Sequence, residues 1–197
     1  MEVIAPLLRF FQRMMPLDGE EEQLLRETFR NRLYRKRQYV LQEGDVCNSL
    51  SFVVRGCLRM YKIDDAGNVH ILQFAVEEEW INDLGSFHGL RPSQLNIDAL
   101  EDTVVLQISR EELVRLYTDA PKFNRLFRVL TENSFVQLQE RLLQNIGSAV
   151  EDRYHRFLEL YPELSGRLSQ VQIAAYLGVS PEFLSRLRGK RSKAKKP

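Results

Sequence analysis

The apolar positions change period twice along the chain. Up to about residue 32 they recur at helical spacing, first in "IAPLLRFFQRMMPL" and then in "GEEEQLLRETFRNRL". Asp18 followed by Glu21 is the pairing expected of an N-cap and its reciprocal partner at the start of the second segment. From Tyr34 to Ile108 the pattern is strand-like. "SFVVRGCLRMYKI", "VHILQFAV" and "DTVVLQIS" are rich in β-branched and aromatic residues, and "DDAGN" has hairpin-loop composition. Gly44, Gly56 and Gly67 punctuate these short strands at intervals of 12 and 11 residues, a rhythm that suits an antiparallel roll or barrel.

Helical periodicity returns at Ser109, where "SREEL" has capping-box form. Asp119 and Pro121 then open a longer helix over 119–146. In it Val129, Val136 and Leu143 recur every seven residues, with Leu126, Leu130, Leu138, Leu142 and Ile146 beside them. Such a stripe can bury against the roll or against a partner helix. Gly147 is expected to break this helix, with Ser148 and Glu151 as a second capping box, and "VEDRYHRFLELYPEL" to form a short helix ended by Pro162. The overall class is α+β.

The last periodic stretch is "LSQVQIAAYLGVSPEFLSRLRGKR". Ile173, Ala174 and Leu177 make one apolar face. Gly178 suits a left-handed turn because it has no β-carbon to clash there. Ser180 can cap the next helix, and Pro181 fits its first position, where a missing N–H is harmless. Leu184 and Leu187 point inward, and Val179 fills the angle between the helices. This is the layout of a helix-turn-helix, whose second helix enters the DNA major groove. Its outer face carries Glu182, Ser185 and Arg186. Arginine pairs bidentately with guanine, and a carboxylate accepts from cytosine N4–H. Ser169, Gln170, Ser180, Pro181, Lys190 and Arg191 complete the expected DNA-contacting set, and Lys193, Lys195 and Lys196 extend it as phosphate contacts.

Charge sharpens this picture. The net charge is only +1, but Arg186, Arg188, Lys190, Arg191, Lys193, Lys195 and Lys196 crowd the C-terminal stretch with no acid among them. A neutral body with one basic end suggests a polyanionic partner at that end. No apolar run approaches the ~20 residues that span a bilayer, and Glu2, Pro6, Arg9 and Arg13 interrupt the first segment, so a cytoplasmic protein without membrane attachment is expected. Cys47 and Cys57 read as two half-buried thiols, too few for the ligands of an iron–sulfur cluster. His70, His88 and His155 include no His-x-His pair, and no phosphate-cradling glycine loop or nucleophile elbow occurs. No metal, no cofactor and no enzymatic activity are expected. Trp80 and Phe87 read as core.

Taken in order, these parts resemble the cyclic-AMP receptor protein/fumarate–nitrate regulator family. The resemblance runs through "VLQEGDVCNSLSFVVRGCLRMYKIDDAGNVHILQF" as a cyclic-nucleotide-binding-type roll, the long helix, and "LSQVQIAAYLGVSPEFLSRLRGK" as the helix-turn-helix. It implies a double-stranded β-helix (a jelly-roll-like roll) with N-terminal helices over 1–118. A dimerisation helix and hinge would follow over 119–147, and a DNA-binding domain with a basic tail over 148–197. It further implies a homodimeric transcription regulator that binds an inverted-repeat operator in double-stranded DNA. The roll would sense a small effector and the dimer helices would relay its state.

The matching effector segment is "NDLGSFHGLRPSQLNIDALED". By resemblance, Asp83 stands where a ribose-binding Glu would be. Ser93 and Gln94 fall on the phosphate-binding Arg and its neighbour, and Arg91 comes two places early. A cyclic phosphate needs a charge-assisted donor, so cyclic AMP is not the expected effector. Asp83, Leu84, Arg91, Ser93 and Gln94, with Leu138 and Gln139 from the long helix, are the effector-pocket candidates. The chain ends at "RSKAKKP", so most of the β-hairpin wing that follows the recognition helix in the family is expected to be missing. The alternative reading is a ligand-sensing or protein-interaction module of the same fold that no longer binds DNA specifically. The short end and Pro181 favour it; the Gly178–Ser180 turn and the basic tail oppose it.

Overall fold

The computed structural model describes residues 2–194, and side chains up to residue 189. Two helices, α1 (Ala5–Gln12) and α2 (Gly19–Thr28), precede eight strands: β1 (Arg30–Tyr34), β2 (Tyr39–Leu41), β3 (Ser49–Arg55), β4 (Leu58–Ile63), β5 (Val69–Ala75), β6 (Trp80–Ile81), β7 (Asn96–Ala99) and β8 (Thr103–Ser109). A short helix, α3 (Leu84–Gly89), interrupts the strands. α4 (Arg110–Asp119), α5 (Lys122–Gly147), α6 (Val150–Leu160), α7 (Leu164–Arg167), α8 (Gln170–Leu177) and α9 (Pro181–Ala194) follow. The chain divides into two compact units. One holds the chain up to Ile63 together with Leu72–Val129; the other holds Asp64–Ile71 and the chain from Leu130 onward.

The first unit is built on two four-stranded sheets, ordered β1-β8-β3-β6 and β2-β7-β4-β5. The pairs β1–β8, β3–β8, β3–β6, β2–β7 and β4–β7 are antiparallel, with a bulge in β3 between Val53 and Arg55. The turn after that bulge explains Gly56. It sits at φ +109°, and a β-carbon there would come within 2.4 Å of the Thr103 hydroxyl. That hydroxyl accepts a hydrogen bond from the Cys57 N–H at 3.1 Å. Any side chain at position 56 would displace this contact.

α1, the residue after α2, β3 and the start of α5 supply an aromatic cluster around Trp80. Phe11, Phe29, Phe52 and Phe127 lie 5.3–6.3 Å from its ring. Phe11, Phe52 and Phe123 are fully buried. The N-cap at Asp18 forms in both directions, the Glu21 N–H donating to Asp18 and the Asp18 N–H donating to Glu21, each at 2.9 Å. Phe87 is core, as read, whereas Trp80 is half-buried. The thiols differ from expectation: Cys47 and Cys57 are buried, 5% and 1% exposed. Burial pushes the Cys47 thiol above its usual range.

Three boundaries moved. The N-terminal helical reading to residue 32 stops at Thr28, because Arg30–Tyr34 pairs in full register with Thr103–Gln107. The segment holding Asp83 folds into α3, where an all-strand region was expected. The Ser148–Glu151 capping box does not form. α5 runs through Gly147, the Ser148 N–H still donates to Gln144, and Ala149 is the N-cap of α6 without a side-chain hydrogen bond.

The second unit packs α6 to α9 around Tyr154, Phe157, Leu164, Ile173, Ala174, Leu177, Leu184 and Leu187, all buried. α5 changes character along its length. Phe123, Leu126 and Phe127 are buried in the first unit, whereas Phe135, Val136, Leu138, Leu142, Leu143 and Ile146 are exposed in the single chain.

Candidate nucleic-acid interface and effector region

The helix pair α8–α9 is specified by its caps. The Gln172 N–H donates to the Ser169 hydroxyl at 3.3 Å, and the Ser169 N–H donates to the Gln172 side chain at 2.7 Å. Gly178 closes α8 in the left-handed region at φ 69° and ψ 36°. The Val179 N–H then donates back to the Ala174 carbonyl at 3.0 Å, satisfying one of the orphan acceptors at the helix end. The Ser180 hydroxyl accepts from the Phe183 N–H at 3.2 Å, and Pro181 opens α9 as its spacing required.

This leaves Glu182, Ser185 and Arg186 exposed, lining one shallow concave surface with Pro181. Glu182 is held below the usual carboxylate range by its own backbone N–H, then by the Ser180 hydroxyl and the Arg186 charge. It is therefore an acceptor-only group at neutral pH, the state needed to take a hydrogen bond from a base amine. The Arg186 guanidinium lies 5.9 Å from the Phe183 ring, a neighbour the sequence reading overlooked. Of the other expected contacts, Ser169 is engaged as a cap and Gln170 is exposed. The side chains of Lys190, Arg191, Lys193, Lys195 and Lys196 lie outside the described residues.

In the roll, Asp83 and Ser93 are brought together. Asp83 is the N-cap of α3, one oxygen accepting from the Ser86 N–H at 3.0 Å and the other from the Ser93 hydroxyl at 2.8 Å. Ser93 is buried, and its backbone is tied on both sides: its N–H donates to Asp45 and its carbonyl accepts from Gly44. Arg91 is exposed and runs beside Gly85 and Gly89 of α3. Leu84 is half-buried and Gln94 exposed; Leu138 and Gln139 are exposed on α5 in the other unit. The positions that the resemblance assigns to effector binding, Asp83 and Ser93, thus hold a carboxylate and a hydroxyl already bonded to each other.

Separately, the first unit contains a cavity of about 390 Å³ lined by Tyr34, Leu41, Cys47, Ser51, Ile81 and Gln107 among others. The Tyr34 hydroxyl donates to Gln107 at 3.3 Å, and the Gln107 amide donates to Ser51 at 2.9 Å. No lysine, arginine or histidine is among its described lining residues. The sequence offered no signal for it, because its walls come from six strands and the connections that follow β2 and β6. Among the described residues no group of three or more His, Cys, Asp or Glu is placed to hold a metal ion. Among them, too, no helix is long and apolar enough to cross a membrane.

An antiparallel roll with a short helix between its sixth and seventh strands, a long helix, and a capped helix pair define the class: a cyclic-nucleotide-binding-type fold joined to a helical head. Residues 31–120 match the cyclic nucleotide-binding domain family. The chain is 27% identical over 169 residues to the transcriptional activator protein anr of Pseudomonas aeruginosa, covering 80% of this chain and 68% of that protein. It is 28% identical over 193 residues to the fumarate and nitrate reduction regulatory protein of Vibrio cholerae, covering 90% and 74%. Among solved structures, FixK2 from Bradyrhizobium japonicum superposes with a TM-score of 0.74 at 21% identity, over 84% of this chain and 85% of that one. The regulator CLP from Xanthomonas campestris gives 0.73 at 19%, over 90% and 93%. The chain is thus similar to these regulators over most of its length, and its residues 31–120 to the cyclic nucleotide-binding domain. These relatives are named as transcription regulators.

Proposed function

We propose that the protein is a cytoplasmic, homodimeric regulator whose α8–α9 pair is a DNA-reading helix-turn-helix and whose roll takes a small effector. The observation that carries this is the exposed row Glu182, Ser185 and Arg186 on a helix held rigidly by Ser180 and Leu184. Residues 1–118 act as the sensing domain, 119–147 as the dimer helix and hinge, and 148–197 as the DNA-binding domain with its basic tail. The exposed apolar face of α5 supports pairing with a second copy. Two heads related by a two-fold axis call for an inverted-repeat operator with half-sites about one helical turn apart.

The effector is not a cyclic nucleotide in this reading. Asp83 and Ser93 offer no charge-assisted donor to an anion, and Asp83 would repel one. The state of the roll passes along α5 to the heads.

Arg186→Ala tests the DNA assignment. Its loss should cost about 1–3 kcal/mol of operator discrimination while leaving non-specific binding nearly intact. Fluorescence anisotropy on the selected operator and on a scrambled duplex, at two salt concentrations, separates the two. An Arg186→Ala protein with unchanged operator preference would overturn the reading.

A further inference from the structure

Arg141 is a cation on α5, between Glu140 and Leu142. Its side chain is half-buried, and one guanidinium nitrogen, Nη2, donates to two backbone carbonyls. The Ile71 carbonyl accepts at 2.8 Å and the Tyr176 carbonyl at 3.2 Å. The guanidinium also lies over the Tyr176 ring, 4.0 Å from its centroid. All three residues belong to the second compact unit.

Each acceptor has a reason to need a donor. Tyr176 is the next-to-last residue of α8, so its carbonyl is one of the four that the helix itself leaves unsatisfied. α8 has no basic residue in its last turn, and Arg141 supplies the cation that the negative end of the helix dipole favours. Ile71 lies on β5, an edge strand paired only with β4. The hairpin that carries it is rigid: Asp64 accepts from the Ala66 and Asn68 N–H groups at 3.0 and 2.8 Å and lies 2.8 Å from His70. On the other side, Tyr176 is packed against Phe157 and Tyr161, at 5.3 and 6.3 Å between ring centroids. Arg141 therefore joins two stiff bodies, the 64–71 hairpin and the α6–α8 core, to the long helix.

We infer that Arg141 is the clasp that fixes the orientation of the helix-turn-helix on α5, and so a positioning residue for DNA recognition. This rests on the DNA-binding reading above. A planar guanidinium that bonds two carbonyls while stacked on a ring sets direction as well as distance. α8 in turn positions α9 through the Gly178 turn. With the clasp in place, two heads in a dimer hold a fixed separation. Without it, that separation softens.

The test compares Arg141→Ala with wild type and with Arg156→Ala. Arg156 is a half-buried arginine of the same unit that pairs with Glu140 and Glu159, so its loss removes a charge and two side-chain ion pairs. Hydrogen exchange on the full-length protein reads residues 172–178 and 69–73. In Arg141→Ala both segments should exchange about tenfold faster or more, the scale of one lost charge-assisted hydrogen bond. Faster exchange in only one segment, or in neither, overturns the clasp. Equal acceleration in Arg156→Ala does so too.

The second readout uses the inverted repeat that wild type selects from a random duplex pool, and the same repeat with one base pair inserted between its half-sites. Wild type should bind the selected spacing much more tightly. Arg141→Ala should lose that preference, binding the two spacings with similar affinity, whereas Arg156→Ala should keep it. A uniform loss on both duplexes would show a merely structural role and overturn the positioning assignment. If wild type selects no inverted repeat, the DNA-binding reading falls, while the exchange result still decides the clasp.

Discussion

Leu142→Glu is expected to dissociate the dimer. Along α5, Phe135, Leu138, Leu142 and Ile146 are 59%, 62%, 58% and 78% exposed in the single chain. At 3.6 residues per turn these four fall within an arc of about 80°, with Leu142 near its middle. Val136 and Leu143, taken from the sevenfold repeat, lie toward one side of it. Burying a leucine side chain completely contributes about 1.5–3 kcal/mol, so covering the exposed part of Leu142 contributes about 1–1.5 kcal/mol per chain. A two-fold axis doubles that to about 2–3 kcal/mol. Glutamate at the seam also takes a carboxylate out of water in each chain, at a cost of several kcal/mol per ion. A combined loss of at least about 5 kcal/mol weakens association by roughly three to four powers of ten. Sedimentation velocity at micromolar concentration should then report monomers for Leu142→Glu and dimers for wild type. Circular dichroism should not change, because the residue faces solvent in the single chain. A monomeric wild type, or a Leu142→Glu protein that stays dimeric, would refute the reasoning.

The remaining expectations concern ligand, pH and core. Calorimetry should find no micromolar binding of cyclic AMP, and measurable binding would mean that a donor other than Ser93 meets the phosphate. Glu79 is pushed above its usual pKa, by burial first and then by the charge of Glu77, against an opposing hydrogen bond from the Val76 N–H. The folded chain therefore takes up this proton at higher pH than the unfolded chain. Its ionisation costs stability above the folded pKa, and the cost disappears as the pH falls toward the ordinary glutamate range. Glu79→Gln should raise the thermal midpoint at pH 8, with the difference shrinking on acidification; a difference that grew as the pH fell would contradict this sign. Leu184 is fully buried between α9 and α8, and Leu184→Ala should cost about 2–5 kcal/mol in chemical denaturation of the head.

What was legible in the sequence was local. The Asp18, Ser109 and Ser180 caps, the bounds of α8 and the left-handed Gly178 each depend on residues within a few positions of one another. The same holds for the exposed row on α9, which follows once the helix and its buried leucines are fixed. The start of β1 was not legible, because "RNRLY" has no strong strand pattern and becomes a strand by pairing with β8 some seventy residues away. The capping box proposed at Ser148 failed for a related reason: α5 continues one residue past where its sequence suggests a stop.

At the effector region the residue types could be read but not their partners. That Ser93 is a poor anion donor follows from its identity. That its hydroxyl is already bonded to Asp83, and that Asp83 also caps α3, follows only from the folded loop. The polar cavity beside it and the double contact of Arg141 have no sequence signature either. Periodicity and caps report interactions made within one or two helical turns, and these the chain determines by itself. The hydrogen-bonded walls of the cavity and the acceptors of Arg141 come from segments 35 to 73 residues apart, and only the tertiary structure brings them within reach.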